Sequence, residues 1–285
     1  MSADAAPVRL REMTTGDIAA AHRLSREAGW NQTEAEWRLL LDLNPWRFVA
    51  ATADGGVVGT GGAACYGTAL AWVCMILVEP QWRGRGIGKR LVEDVLDRVG
   101  NVARIGLDAT PAGRPVYLRL GFEEVFTLRR MAAPAAEVSP SRSDATTLSG
   151  TDDLEAVLEM DRELFGADRT AVLRWMFARS GGWCVRGAGG VAGYGFLREG
   201  QHSRHLGPVV ASDVASAQAI VTAALAAGDG RPLLIDVPAR AADWPGVLEG
   251  LGFREQRPLL RMFREGARPP GDPRLQWAIL GPEFG

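Results

Sequence analysis

The chain has 285 residues, of which 47% are hydrophobic and 23% charged, and its formal net charge is −2. That length leaves room for two domains of roughly 130–150 residues, each able to bury a core without disulfides or metal. The near-neutral charge argues against a nucleic-acid partner, which would favour a basic patch. Cys65, Cys74 and Cys184 form no C-x-x-C pair, and their odd number argues against a disulfide framework; a reducing cytoplasm is the expected compartment. The first eleven residues lack a basic segment followed by a long apolar core, so no signal peptide is expected. The longest apolar run, 69–78, is too short to cross a bilayer and reads as a buried strand, so no membrane partner is expected.

In chain order, 8–13 reads as a strand and 18–27 as a helix after a turn at 14–17. Thr33 and Glu36 form a T-x-x-E capping box that opens a second helix toward Leu43, and Pro45 ends it. Residues 48–53 and 57–65 are strands around the turn Asp54-Gly55-Gly56. A central buried strand at 71–78 stops at Pro80. A glycine-rich loop follows, then an amphipathic helix to Val99 with Leu91, Val95, Leu96 and Val99 on one face. A strand at 104–108, a helix through Tyr117 and Leu120 that ends at Gly121, and a strand at 123–131 complete a β-α-α-β-β-β-α-β-α-β order.

Residues 132–150 are rich in Ala, Pro, Ser and Thr and read as a linker. The same order of elements then returns, from helices at 153–164 and 170–178 to a last strand at 253–263. Leu120-Gly121-Phe122 matches Leu251-Gly252-Phe253, and Leu128-Arg129-Arg130-Met131 resembles Leu259-Leu260-Arg261-Met262. Both offsets are 131 residues (252 − 121 and 262 − 131). So long a period means two copies of one domain. The expected fold is α/β with a mixed sheet, in two tandem domains over 1–131 and 149–285 with a linker at 132–148.

The segment Ile76-Leu77-Val78-Glu79-Pro80-Gln81-Trp82-Arg83-Gly84-Arg85-Gly86-Ile87-Gly88-Lys89 runs from a buried strand through a glycine-rich turn into a helix. Successive backbone N–H groups in such a turn, with the partial positive charge of a helix N-terminus, suit a diphosphate. A P-loop would need Gly where Arg83 stands and Ser or Thr where Arg90 follows the Lys, and Gly84, Gly86 and Gly88 fall one residue short of G-x-G-x-x-G.

Gln81-Trp82-Arg83-Gly84-Arg85-Gly86 resembles the Q/R-x-x-G-x-G/A motif of the GCN5-related N-acetyltransferase (GNAT) superfamily. Tyr117-Leu118-Arg119-Leu120-Gly121-Phe122 resembles that family's Y-x-x-x-G-F segment. The resemblance covers about residues 8–131. It implies acetyl-CoA as cosubstrate, its diphosphate held by Arg83, Gly84, Arg85, Gly86, Ile87, Gly88 and Lys89. The main chain of Ile76, Leu77 and Val78 would lie along the pantetheine arm. Tyr117 matches the usual general acid. The base is not legible; Glu79 is the first candidate, with Asp108 and Glu36 behind it. Trp30, Asn31, Gln32, Trp46 and Tyr66 stand where the family builds its acceptor site, while Cys74 reads as buried filler.

The second half looks degenerate. At 206–213 it keeps one glycine, Pro208 lacks an N–H, Asp213 would repel phosphate, and Leu248 stands where Tyr117 would. No second acetyl-CoA site is expected. The segments at 193–196, 207–211, 236–238 and 281–283, with 107–113 in the first half, resemble bacterial tandem acetyltransferases of the YitH type. His202 and His205 lack a third ligand of suitable spacing, and no metal is expected. The leading function is acetyl transfer to the amine of a small molecule. A protein lysine or α-amine acceptor, and a non-catalytic acyl-CoA sensor, are the alternatives. The chain is expected to be a monomer or a homodimer.

Overall fold

The T-x-x-E spacing does close a capping box: Thr33 N donates to Glu36 Oε2 at 2.7 Å and Glu36 N donates to Thr33 Oγ1 at 3.3 Å. The computed structural model describes residues 7–134, 143–239 and 243–285. The first half runs β1 (Arg9–Glu12), α1 (Ile18–Glu27), α2 (Glu34–Leu43), β2 (Val49–Ala53), β3 (Gly56–Tyr66), β4 (Leu70–Val78), α3 (Ile87–Val99), β5 (Ile105–Ala109), α4 (Arg114–Leu118) and β6 (Phe122–Ala133). The second runs β7 (Thr146–Thr147), α5 (Gly150–Phe165), α6 (Thr170–Ser180), β8 (Gly182–Gly187), β9 (Gly190–Arg198), β10 (Arg204–Ala211), α7 (Val214–Ala226), β11 (Leu233–Pro238), α8 (Trp244–Gly250), β12 (Arg254–Arg264) and β13 (Gln276–Ala278). Apart from β7 and β13, which are too short for alternation to register, these are the elements read from periodicity and turn chemistry. At the expected linker, β6 continues to Ala133 and β7 begins at Thr146. Residues 135–142 of that linker, and residues 1–6 of the N-terminal segment, lie outside the described residues.

Among the described residues thirteen strands join one mixed sheet, in the order β1-β2-β3-β4-β5-β12-β6-β11-β10-β9-β8-β7, with β13 on β10. The sheet runs continuously from one half into the other. The two final strands are exchanged: β12 pairs with β5 of the first half, and β6 with β11 of the second. They also pair with each other from Arg254↔Ala132 to Arg264↔Phe122. The repeated Leu-x-Arg-Met segments lie on these two strands, and their arginines make equivalent crossings. Arg130 donates to Asp236 of β11 at 2.8 and 2.7 Å. Arg261 donates to Asp108 of β5 at 2.9 and 2.8 Å. Each half thereby covers the strand edge the other would leave open.

Helix α3 buries Ile87, Leu91, Val92 and Val95 on one face of the first half, and α7 does the same with Ile220, Val221 and Ala224 in the second. Helices α1 and α2 contribute Leu24 and Trp37 to a cluster that spans both halves and includes Trp72, Tyr66, Phe196 and Phe284. Among the described residues no helix is long and apolar enough to cross a membrane.

Candidate active site

Strands β4 and β5 pair in parallel only at Ala71↔Ile105 and Trp72↔Gly106, and then splay. A bulge in β4 accompanies the splay: Thr60 faces Leu77, but Gly62 faces Cys74, so β4 carries one extra residue. Met75 takes φ 58° there, and its carbonyl accepts from Thr60 Oγ1 at 2.9 Å. A left-handed non-glycine residue costs about 1–3 kcal/mol. The bulge therefore persists because the surrounding pairing imposes it, and it turns the β4 backbone toward the opening. A cavity of about 160 Å³ lies in the splay, walled by 73–76 of β4, Asp108, Thr110, Tyr117 and Gly88.

Gly88 connects this cavity to the glycine turn. Gly84 and Gly86 hold φ 76° and 75° on an exposed surface, a backbone that a Cβ would strain. Helix α3 starts at Ile87 with no side-chain cap, and its first helical bond comes from Arg90 N to Gly86 O at 3.1 Å. The N–H groups of Ile87, Gly88 and Lys89 thus have no helical acceptor. Arg83 donates to Val78 O at 2.9 Å and Arg85 lies 4.7 Å over the Trp82 ring. Lys89 pairs with Glu93 at 2.7 Å. Ile76 is on the cavity wall, while Leu77 is buried and Val78 half-buried behind it.

Tyr117 sits edge-on to Phe122, with ring centroids 6.0 Å apart, and faces the cavity from α4. Burial, with Cys74 nearby, pushes its phenol above the ordinary value, so it stays protonated at neutral pH. Cys74 shares the wall, and burial pushes its thiol up as well. Two carboxylates line the cavity. Asp108 is raised by burial and by Asp236 and Glu283, against the pull of Arg261. Glu283, near the end of the chain, accepts from Gln32 Nε2 at 2.9 Å and lies 2.6 Å from Arg198. Glu79 is not on this wall: its carboxylate accepts from Arg23 and Gln81 at 2.9 and 2.8 Å. Glu36 is buried in its capping box and paired with Arg198.

Of the five acceptor candidates, Trp30 and Gln32 line the cavity. Asn31 instead clasps the second half, accepting from His202 N at 2.9 Å and Ser203 N at 3.0 Å and donating to Ser203 O at 2.9 Å. Tyr66 is buried and donates to Phe284 O at 2.6 Å. Trp46 is 53% exposed, held by Arg98 donating to its carbonyl at 2.8 Å. The wall that sequence reasoning missed comes from the exchanged strands and the tail: Arg130, Arg257, Leu259, Pro282 and Glu283. Its sequence signals are the repeated segments that hold Arg130 and Leu259 and the Gly281-Pro282-Glu283 resemblance, neither of which points to a cavity wall. A second basin of about 190 Å³ adjoins it through Arg130 and Arg257 and is lined also by Asn31, His202, Ser203 and Gln256.

Behind the wall runs a buried ionic chain. Arg198 serves both Glu36 and Glu283 and donates to His205 Nδ1 at 2.7 Å. Arginine only donates, so the imidazole proton sits on Nε2, 3.1 Å from Asp236. Burial and Arg198 hold His205 below its usual value. Burial alone would raise Asp236, but Arg130 and His205 hold it well below the carboxylate range. His202 faces the second basin instead, so the H-x-x-H pair is divided between two surroundings.

The equivalent cleft of the second half is closed by its own chain. After β10 and β11 pair at 204–206 and 233–235, β13 enters, with Val209↔Ala278, and Ile279 N donates to Asp236 O at 3.0 Å. The N-terminus of α7 is capped by Asp213, which accepts from Ser216 N at 2.8 Å.

Residues 44–124 match a family model described as an acetyltransferase (GNAT) domain, and residues 157–278 match a second model of that description. The N-alpha-acetyltransferase RimI of Mycobacterium tuberculosis is 30% identical over 149 residues, 46% of this chain and 87% of RimI. This chain belongs to the GNAT family. It is a GNAT acyltransferase with two such domains in tandem. The N-acetyltransferase YitH of Bacillus subtilis is 25% identical over 255 residues, covering 88% of this chain and 89% of YitH. An acetyltransferase-fold crystal structure from Pyrococcus horikoshii superposes with TM-score 0.82 at 21% identity, covering 98% and 96% of the two chains.

Proposed function

We propose that the first half binds acetyl-CoA and passes its acetyl group directly to the amine of a small molecule, while the second half walls the acceptor. One observation carries this reading: a single cavity runs from Gly88, at the uncapped start of α3, through the β4–β5 splay to Gln32 and Glu283. A diphosphate suits the N–H groups of the turn and first helical turn, from Gly84 to Lys89. The main chain of Ile76, Leu77 and Val78 borders the opening and would pair with the pantetheine arm as an added strand. The β4 bulge offers an N–H to polarise the thioester carbonyl. Tyr117, kept protonated, donates to the departing thiolate.

The amine must lose a proton before attack. We assign that step to Asp108, a raised carboxylate on the cavity wall, over Glu79, which is held by Arg23 and Gln81 off that wall. Pro282 and Glu283 of the tail, with Arg130, Arg257 and Leu259 of the exchanged strands, wall the acceptor side, which favours a small molecule over a protein chain. Calorimetry with acetyl-CoA tests the donor, and amine-dependent thiol release tests the transfer. One acetyl-CoA site per chain and thiol release that requires an amine are expected. No binding would overturn the reading. Binding without amine-dependent release would make the protein an acyl-CoA sensor.

A further inference from the structure

We infer that the acceptor carries a carboxylate as well as its amine, and that Arg257 of β12 binds that carboxylate. This rests on the acetyl-transfer reading above and deepens it. Among the described residues the Arg257 side chain has neither a hydrogen bond nor an ion-pair partner, although it is half-buried and lines both the main cavity and the adjoining basin. Every other charged side chain on the cavity wall is paired: Asp108 with Arg261, Arg130 with Asp236, Glu283 with Arg198. A half-buried guanidinium without a partner has lost part of its hydration, which a ligand anion would restore. Its planar fork matches a carboxylate in bidentate geometry.

The opposite sign accumulates at the Glu283 wall. Arg198 is shared between Glu36 and Glu283, which leaves one carboxylate charge there uncompensated. Gln32 adds an acceptor: its Nε2 is used on Glu283, and its buried Oε1 has no donor among the described residues. The cavity thus presents one excess negative charge beside Gln32 and one excess positive charge where the two basins meet. A zwitterion of net zero charge, an aminocarboxylate, complements both. Its amine lies toward Glu283 and Asp108, its carboxylate toward Arg257, and the rest of the molecule has the second basin for room. A dianionic phosphate would overcompensate a single arginine.

The test is a panel of matched acceptors: histidine with histamine, tyrosine with tyramine, lysine with cadaverine, γ-aminobutyrate with butylamine, and phosphoethanolamine. Thiol release is measured at saturating acetyl-CoA, and binding to the CoA-saturated protein is read by thermal shift. At least one aminocarboxylate is expected to exceed its decarboxylated partner by ten-fold or more in kcat/KM. Arg257→Gln should erase that ratio, mainly through KM, while Arg257→Lys restores part of it. The affinity for CoA, measured on the same proteins, should not move. Equal use of both members of each pair, preference for phosphoethanolamine, a ratio unchanged in Arg257→Gln, or a panel in which no aminocarboxylate turns over or binds would each overturn the inference. All of these leave CoA binding intact, whereas failure of the acetyl-transfer reading shows as loss of CoA binding or of thiol release with every amine.

Discussion

The two halves share one ancestral cleft and have done opposite things with it. In the first, β4 and β5 part around a bulge, and the opening stays a cavity that reaches an uncapped helix start. In the second, β10 and β11 part in the same way, but β13 fills the gap and Asp213 occupies the helix N-terminus. A helix start and a strand splay are therefore not a site in themselves; they become one only where the chain does not supply its own ligand. After closing that cleft, the tail continues to the first half, where Pro282 O accepts from Trp72 Nε1 at 2.9 Å and Glu283 reaches the cavity wall.

The largest effect should come from the mirrored ion pairs. Asp236→Ala leaves Arg130 and His205 buried without their partner, and should cost about 3–5 kcal/mol in chemical denaturation. Asp108→Asn should cost less stability but lower kcat about 10²-fold, since Asp108 lines the cavity and Asp236 does not. Equal loss of activity from both would break the asymmetry. Next, Gly86→Asp should weaken acetyl-CoA roughly 10³-fold in calorimetry, about 4 kcal/mol, through strain at φ 75° and a charge facing phosphate. Removing the opposing carboxylate in the second half, Asp213→Gly, should create no second site, because β13 still fills the cleft; two sites per chain would refute the comparison. Tyr117→Phe should reduce kcat about 10²-fold, or about 2.7 kcal/mol, with acetyl-CoA affinity kept. Its counterpart Leu248 is fully buried.

The smallest effect is a pH dependence at the junction. His205 has a folded pKa below its unfolded value, so its contribution is fully present above about pH 6.5. It is lost as pH falls through the folded value, by no more than about 1.4 kcal/mol per pH unit for one proton. Urea midpoints from pH 7.5 to 5 should fall for wild type and flatten for His205→Gln. A flat wild-type profile would show that the imidazole is not held neutral.

The sequence by itself determined the elements, the capping box of Thr33 and Glu36, the turn from Arg83 to Lys89, and the duplication, because each is written in local period, turn chemistry or repeated spacing. It also placed Tyr117, Trp30 and Gln32 in segments that reach the cavity. Tertiary structure alone decided the exchange of β6 and β12. The two strands carry nearly the same Leu-x-Arg-Met pattern, so either half offers an equally good partner to β5 and β11, and local sequence cannot choose. It alone removed Tyr66 to the core and Trp46 to the surface, since a loop's position does not say which way a side chain faces. It also brought Arg257 and Glu283 beside Asp108, residues distant in sequence whose charges acquire meaning only when burial puts them across one cavity.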